Sequence, residues 1–291
     1  MTAVATSVVA PRGRSRDPRG AGRRWRTALC LVAALAVGGC GVPASPPSAA
    51  EPVAQPVSAS LTAAVRPSAT TKPLTGRTIV VDPGHNGKYR KSFNTKKVPA
   101  GNGRKKACNS SGTAGKGLSE HAYNWAQAKL LKKELEKRGA TVLLTRTNDS
   151  GLGPCVDKRA KVANDARADL LISIHADGNY AKKARGFHII VSKTMAGGSE
   201  LEKKSKQLAK LVRAELKEHT SMPRSTYIGR GTALSPRSDI ATLNLLKRTP
   251  GIMMEMGNMR NSKDLKLMKS KAFRKQVAVA LADAAEQTLT S

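Results

Sequence analysis

Five short apolar runs stand out along a largely polar chain: residues 77–83 (RTIVVDP), 140–146 (ATVLLTR), 168–177 (ADLLISIHAD), 186–192 (GFHIIVS) and 250–257 (PGIMMEMG). They are too short for buried helices and do not alternate as half-exposed strands do. Each therefore reads as a strand covered on both faces. Stretches with helical spacing lie between them. Ser119 caps one expected helix, which runs to Arg138 with Ala122, Trp125, Ala128, Leu131 and Leu135 on one face and Gly139 ending it. A second covers about 156–167, and a third runs from Ser199, with Glu202 at capping-box spacing, to His219. A closing helix from Ser270 buries Phe273, Val277, Leu281 and Ala284. Residues 83–119, rich in Gly, Asn, Ser and Lys, read as irregular. Strands alternating with helices predict an α/β fold: a single three-layer domain with a mostly parallel twisted sheet and helices on both faces. Ligands in such sheets bind at the carboxyl ends of the strands.

The first 75 residues hold no comparable folded pattern. Seven arginines between Arg12 and Arg26 form a basic region, followed by an apolar stretch over 27–39 (TALCLVAALAVGG) that is short for a membrane span. It ends in small residues directly before Cys40. That resembles the lipobox of bacterial lipoproteins, in which cleavage leaves a cysteine that is acylated. The expectation is a signal peptide over 1–39 with lipidation at Cys40. Ordinary cleavage nearby, with release of a soluble protein, is the alternative. The Pro/Ala/Ser-rich residues 40–75 read as a disordered tether. That leaves 76–291 as the folded domain, long enough to bury a core. The protein is expected to be exported and held at the cell envelope as a membrane-anchored lipoprotein, with a secreted or periplasmic form as the alternative.

Export changes the reading of the cysteines. Only Cys108 and Cys155 remain in the domain, 47 positions apart. In an oxidising compartment they are expected to form a disulfide. Two free buried thiols are the alternative. Zinc binding by this pair is disfavoured, because neither belongs to a C-x-x-C motif. The net charge is +31, of which about +25 falls after residue 39. Such a surface seeks a polyanion, and for an exported protein that means anionic cell-wall polymers or a membrane surface. No nucleic acid is expected: aromatic residues make up 3% of the chain, and no nucleic-acid motif is present. The protein is expected to act as a monomer.

The strand ends carry the chemistry. His85 follows the first strand, His175 lies near the end of the third and Glu255 near the end of the last. Glu120 opens the helix that starts near the same edge. These residues are 35, 55 and 80 positions apart in sequence, yet a parallel sheet brings all four to one rim. Glu255 and His175 are polar residues inside apolar runs, where burial without a partner is costly. Two imidazoles and a carboxylate form a catalytic zinc set with an open fourth position. A second carboxylate beside them can take a proton from water. The residues themselves leave open which of Glu120 and Glu255 completes the zinc set and which stands beside it as acid/base.

Taken in order, VVDPGHNG, Glu120, ISIHADG and MMEMGNMRN resemble the zinc-dependent N-acetylmuramoyl-L-alanine amidases of the amidase-3 type, over about residues 77–289. LLTRTND (143–149) resembles that family's second-strand pattern. The resemblance implies a peptidoglycan hydrolase that takes muropeptides as substrates. It assigns His85, Glu120 and His175 as the ligands of Zn2+, and Glu255 as the catalytic residue that moves the proton from attacking water to the leaving amine. The chain departs from the family pattern at Asn86, in place of a glycine, and at Asn258 and Arg260, in place of Phe and Ser. Two other readings remain: a wall-binding lipoprotein on the same fold without catalysis, and a zinc hydrolase of another amide in the peptide stem.

Further residues carry lesser expectations. Asp82 holds the turn or orients an imidazole. His121 is at the surface or supports a ligand, His188 packs in its strand or supports a ligand, and His219 faces a helix dipole. Between Pro83 and Ser119 nine Lys or Arg occur without an acid, either as a basic lip or as a solvated loop. Residues 230–239 are a second candidate substrate rim.

Overall fold

The computed structural model describes residues 71–291. The expected signal peptide, Cys40 and the tether up to residue 70 lie outside them. The chain runs β1 (Thr78–Pro83), α1 (Lys91–Asn94), β2 (Lys97–Gly101), β3 (Arg104–Ala107), β4 (Ala114–Gly115), β5 (Leu118–Ser119), α2 (Glu120–Lys137), β6 (Thr141–Leu144) and α3 (Val156–Asp165). It continues with β7 (Leu170–Asp177), β8 (His188–Ser192), α4 (Gly198–His219), β9 (Leu234–Arg237), α5 (Ala241–Asn244), β10 (Gly251–Asn258), α6 (Ser262–Lys269) and α7 (Lys271–Thr290).

All five expected strands form, and they join β9 in a six-stranded sheet of order β6-β1-β7-β10-β8-β9. Every pairing in it is parallel except β10 with β8. The strands are apolar on both sides because helices cover both sides. Ile79, Val81, Ile172, Ile174, Ile252 and Met254 point into a core shared with α2, α4 and α7. Val80, Leu171, Met253 and Ile190 point the other way, into a second core with Ala160 and Ala163 of α3 and Leu243 of α5. Each such side chain contributes roughly 1.5–3 kcal/mol on burial.

Because side chains alternate, the register fixes what lies above the second core at the strand ends. Asp82, Ser173, Met253 and Ile190 form one row across β1, β7, β10 and β8. The next row is His175, Glu255 and His188. The polar positions of the apolar runs thus fall on one face and one edge.

Several local expectations differ from the structure. Residues 83–119 are not irregular throughout: Val98 and Ala100 bury one side of the β2–β3 hairpin, while Lys97, Arg104 and Lys105 are exposed and Lys106, opposite Val98, is partly covered. The buried face of α2 is Tyr123, Asn124, Gln127, Ala128, Leu131 and Leu135; Ala122 and Trp125 are only partly covered. Arg146 and Lys129 instead lie over the Trp125 ring. Ser199 does not cap α4, whose N-cap is Gly197, and Glu202 accepts from the Met195 amide. Residues 230–239 supply the edge strand β9, where Pro236 removes a donor that an edge strand can spare. The expected disulfide joins Cys108 to Cys155 and fastens the hairpin's exit to the start of α3. Among the described residues no helix is long and apolar enough to cross a membrane.

Candidate metal centre

The carboxyl edge of β1 turns sharply. Gly84 has no room for a side chain, because a Cβ there would overlap the His175 ring. His85 then takes a positive φ of 60°, unusual for a non-glycine residue. The turn is held from beneath by Arg159 of α3, which is buried. Its guanidinium donates to the carbonyls of Pro83 (2.9 Å) and His85 (2.8 Å), to Asn86 Oδ1 (2.7 Å) and to Asp82 Oδ1 (2.6 Å). Asp82 is fully buried and also accepts from Ser173 and Thr145. Burial pushes its carboxyl up, but Arg159 and the two hydroxyls hold it below the usual carboxylate range. Asp82 therefore supports the turn and hydrogen-bonds neither imidazole. Arg159 was not singled out in the sequence, although a carboxylate inside the apolar run of β1 demanded a buried cation.

Three ligand atoms meet above this turn. His85 Nε2 lies 2.9 Å from Glu120 Oε1, and His175 Nδ1 lies 3.0 Å from the same oxygen. The two rings meet edge to face with centroids 4.7 Å apart. Glu120 opens α2, and its other oxygen, Oε2, accepts the Thr113 amide at 2.8 Å. Oε1 also accepts the Ala176 amide at 3.1 Å. Gly112 lets the loop close over the site, since a Cβ there would come within 2.8 Å of Glu120 Oε2.

The protonation pattern tests whether a metal fits. His85 Nδ1 lies 3.0 Å from the Ser110 carbonyl, which can only accept, so Nδ1 carries the proton. In the neutral ring Nε2 is then a lone pair facing a carboxylate oxygen. Two acceptors at that distance call for a cation between them. Burial lowers the His175 pKa, which favours the neutral ring a metal requires. Burial raises the Glu120 carboxyl, but the imidazoles of His175 and His85 beside it bring it well below its ordinary value. The donors His85, Glu120 and His175 all lie within 4.8 Å of one another and fit a dication.

Glu255 is the register partner of His175 and lines the same cavity, of about 580 Å³. Its Oε2 is buried without a hydrogen-bond partner. Burial, reinforced by the Glu120 and Asp177 carboxylates, raises its pKa well above the usual value, against an opposing pull from Arg237. His188, the next residue in that row, is buried with Nδ1 unpartnered. Burial lowers its pKa to about 4, so it is neutral. His121 is more engaged than the sequence suggested: Nδ1 meets Asp149 at 3.0 Å and Nε2 meets Ser119 Oγ at 2.8 Å. That contact takes the Ser119 hydroxyl away from capping α2. His219 pairs with Glu215 at the end of α4 and lines a separate cavity with residues of α7. No residue of 230–239 lines the cavity; Ile240, Ala241 and Thr242 do, while Lys106 of the hairpin reaches its rim. Arg260 also lines it.

A family model described as N-acetylmuramoyl-L-alanine amidase matches residues 79–287. The N-acetylmuramoyl-L-alanine amidase Rv3717 of Mycobacterium tuberculosis is 40% identical over 215 residues, covering 74% of this chain and 87% of that protein. The crystal structure of the N-acetylmuramyl-L-alanine amidase Ami1 from Mycobacterium smegmatis superposes with a TM-score of 0.69 at 39% identity, covering 74% of this chain and 98% of the other. The apo form of Ami1 from Mycobacterium abscessus gives the same TM-score at 37% identity, covering 74% of this chain and all of the other.

Proposed function

The chain belongs to the Amidase_3 family of N-acetylmuramoyl-L-alanine amidases and is a peptidoglycan amidase acting in the cell envelope, and we propose that it works through one zinc ion held by His85, Glu120 and His175, with Glu255 as acid/base. The observation that supports this most is the convergence of two imidazole nitrogens on Glu120 Oε1, one strand away from an unpartnered carboxylate.

The bond cleaved is the amide between the lactyl group of N-acetylmuramic acid and L-alanine. When bound, zinc polarises that carbonyl and brings the pKa of water down to roughly 7. The protein's own groups do the rest. Ser110 fixes the His85 tautomer through Nδ1–H. Thr113 fixes the Glu120 carboxylate through Oε2. Arg159 locks the turn from which His85 projects. Glu255 accepts a proton from the attacking water and returns it to the departing amine nitrogen, so the products are a free lactyl carboxylate and a peptide with a free amino terminus. Its raised pKa lies nearer the operating pH than an ordinary carboxylate's, which suits a group that must both take and give a proton.

The basic hairpin and the net charge of the chain suit an anionic wall. On this reading Cys40 is the acylated residue after the signal peptide, and residues 40–75 carry the domain out from the membrane. Mass spectrometry of fragments released from defined muropeptides tests the assignment of the bond. Intact N-acetylmuramic acid together with stem peptides beginning in L-alanine is the expected result. Fragments cut within the stem would instead mean another amide.

A further inference from the structure

At the end of β10, Asn258 and Arg260 act together. Asn258 is buried at the strand end, and its Nδ2 donates to the carbonyls of Asn179 (2.9 Å) and Ala184 (2.8 Å). Its Oδ1 accepts the Arg260 amide at 3.0 Å. One side chain thereby fixes the loop after β7 and the backbone of Arg260. Tyr180, on that loop, is 81% exposed, far more than a tyrosine needs for packing. The Arg260 guanidinium lies over its ring, 3.9 Å from the centroid. The aromatic platform orients the guanidinium without consuming its N–H donors.

Position gives this arrangement a purpose. Arg260 lines the cavity that holds His85, Glu120, His175 and Glu255, and it also lines the shallower cavity beside His121. The other basic groups of the first cavity are committed elsewhere. Arg159 is spent on Asp82 and the turn, and Lys106 donates to the Asp239 carbonyl at 3.0 Å. Among the described residues Arg260 forms no ion pair with a carboxylate. An oriented guanidinium at the mouth of a site that otherwise presents carboxylates is a receptor for an anion.

We propose that Arg260, held by Asn258 and Tyr180, is a carboxylate-binding subsite for the acidic residue that follows L-alanine in the peptide stem. The proposal rests on the amidase reading, which places the scissile bond at the metal centre. The free carboxylate nearest that bond in peptidoglycan belongs to the second stem residue. Two residues of extended chain span about 7 Å, and Arg260 lines the same cavity as the metal ligands.

The test uses two N-acetylmuramoyl tripeptides that differ only in whether that carboxylate is free or amidated. The zinc-loaded full chain is expected to favour the free carboxylate about tenfold in kcat/KM, the scale of one charge-assisted hydrogen bond. Arg260→Ala should bring that ratio close to one, and Arg260→Lys should keep part of it. A wild-type ratio near one, or a ratio untouched by Arg260→Ala, overturns the proposal. Calorimetric binding of the two corresponding free stem peptides gives the same comparison without turnover. There, a preference that Arg260→Ala removes supports the subsite even if muropeptides are not cleaved, which would instead defeat the amidase reading. Equal binding of both peptides by wild type and variant overturns the subsite alone.

Discussion

Glu255 and His175 are register partners on neighbouring parallel strands, so a carboxylate with an unpartnered oxygen stands one strand spacing from an imidazole that faces Glu120. The sheet itself sets this distance, and no loop has to close to create it. Replacing Glu255 with Gln should keep the fold and the metal. It should lower kcat by about 10²-fold or more, the usual scale of general acid–base catalysis. Steady-state kinetics with parallel metal analysis checks both halves.

The same carboxylate sets a pH dependence. Burial, with help from Asp177, raises its pKa, and the base must be deprotonated to work. The rate therefore falls as pH drops through the raised value, and the acid limb of kcat/KM should lie above the ordinary glutamate value of about 4.3. Asp177→Asn removes a neighbouring charge and should move that limb to lower pH. A limb that stays in place would separate it from Glu255.

Gly84→Ala places a methyl group where the His175 ring lies. The core under the turn is untouched, so the domain should still fold while the imidazole is pushed out of line. Zinc affinity should fall about 10–100-fold, as it does when the groups that orient a ligand are lost. Equilibrium zinc titration against a competing chelator measures this.

Arg159 and Asp82 form a buried pair under the metal turn. Arg159→Met leaves Asp82 uncompensated and should cost roughly 3–5 kcal/mol in urea unfolding near neutral pH. The sign of the pH effect follows from the direction of the Asp82 shift. Its folded pKa is lowered, so its contribution is complete above the unfolded value of about 3.9 and is lost as pH falls below that toward the folded value. The wild type should lose stability across that acid window, and the variant should lose less.

The Cys108–Cys155 bond closes a loop of 47 residues, worth up to about 4 kcal/mol in the chain-entropy account. A reductant should lower the melting temperature of the wild type. The Cys108→Ser/Cys155→Ser protein should melt at that lower temperature with or without reductant.

The strands and the four residues at the sheet edge were legible because their signal is local. Apolar runs with no alternation, such as IVV before Asp82 and LLISI before His175, have only one structural home, and a polar residue inside one needs a reason. What stayed hidden depends on partners distant in sequence. Arg159 looks like any charge on a polar helix until Asp82 is placed beneath it. Tyr123 and Gln127 are buried in place of Ala122 and Trp125 because α7 packs on that side of α2, a fact that spacing alone does not carry. The edge strand β9 contains Pro236 and two polar residues, so it has neither the composition nor the period of a strand; its pairing with β8 makes it one. Ser199 and Glu202 had the spacing of a cap, but Glu202 is drawn to the Met195 amide and the helix starts before Ser199.

The most direct test of the account is the zinc stoichiometry of the purified protein by elemental mass spectrometry, compared across the site. Wild type and Glu255→Gln should each bind one equivalent, and His85→Ala, Glu120→Ala and His175→Ala should each bind far less. A wild type that cleaves muropeptides without metal, or a His175→Ala protein that keeps its full equivalent, would contradict it.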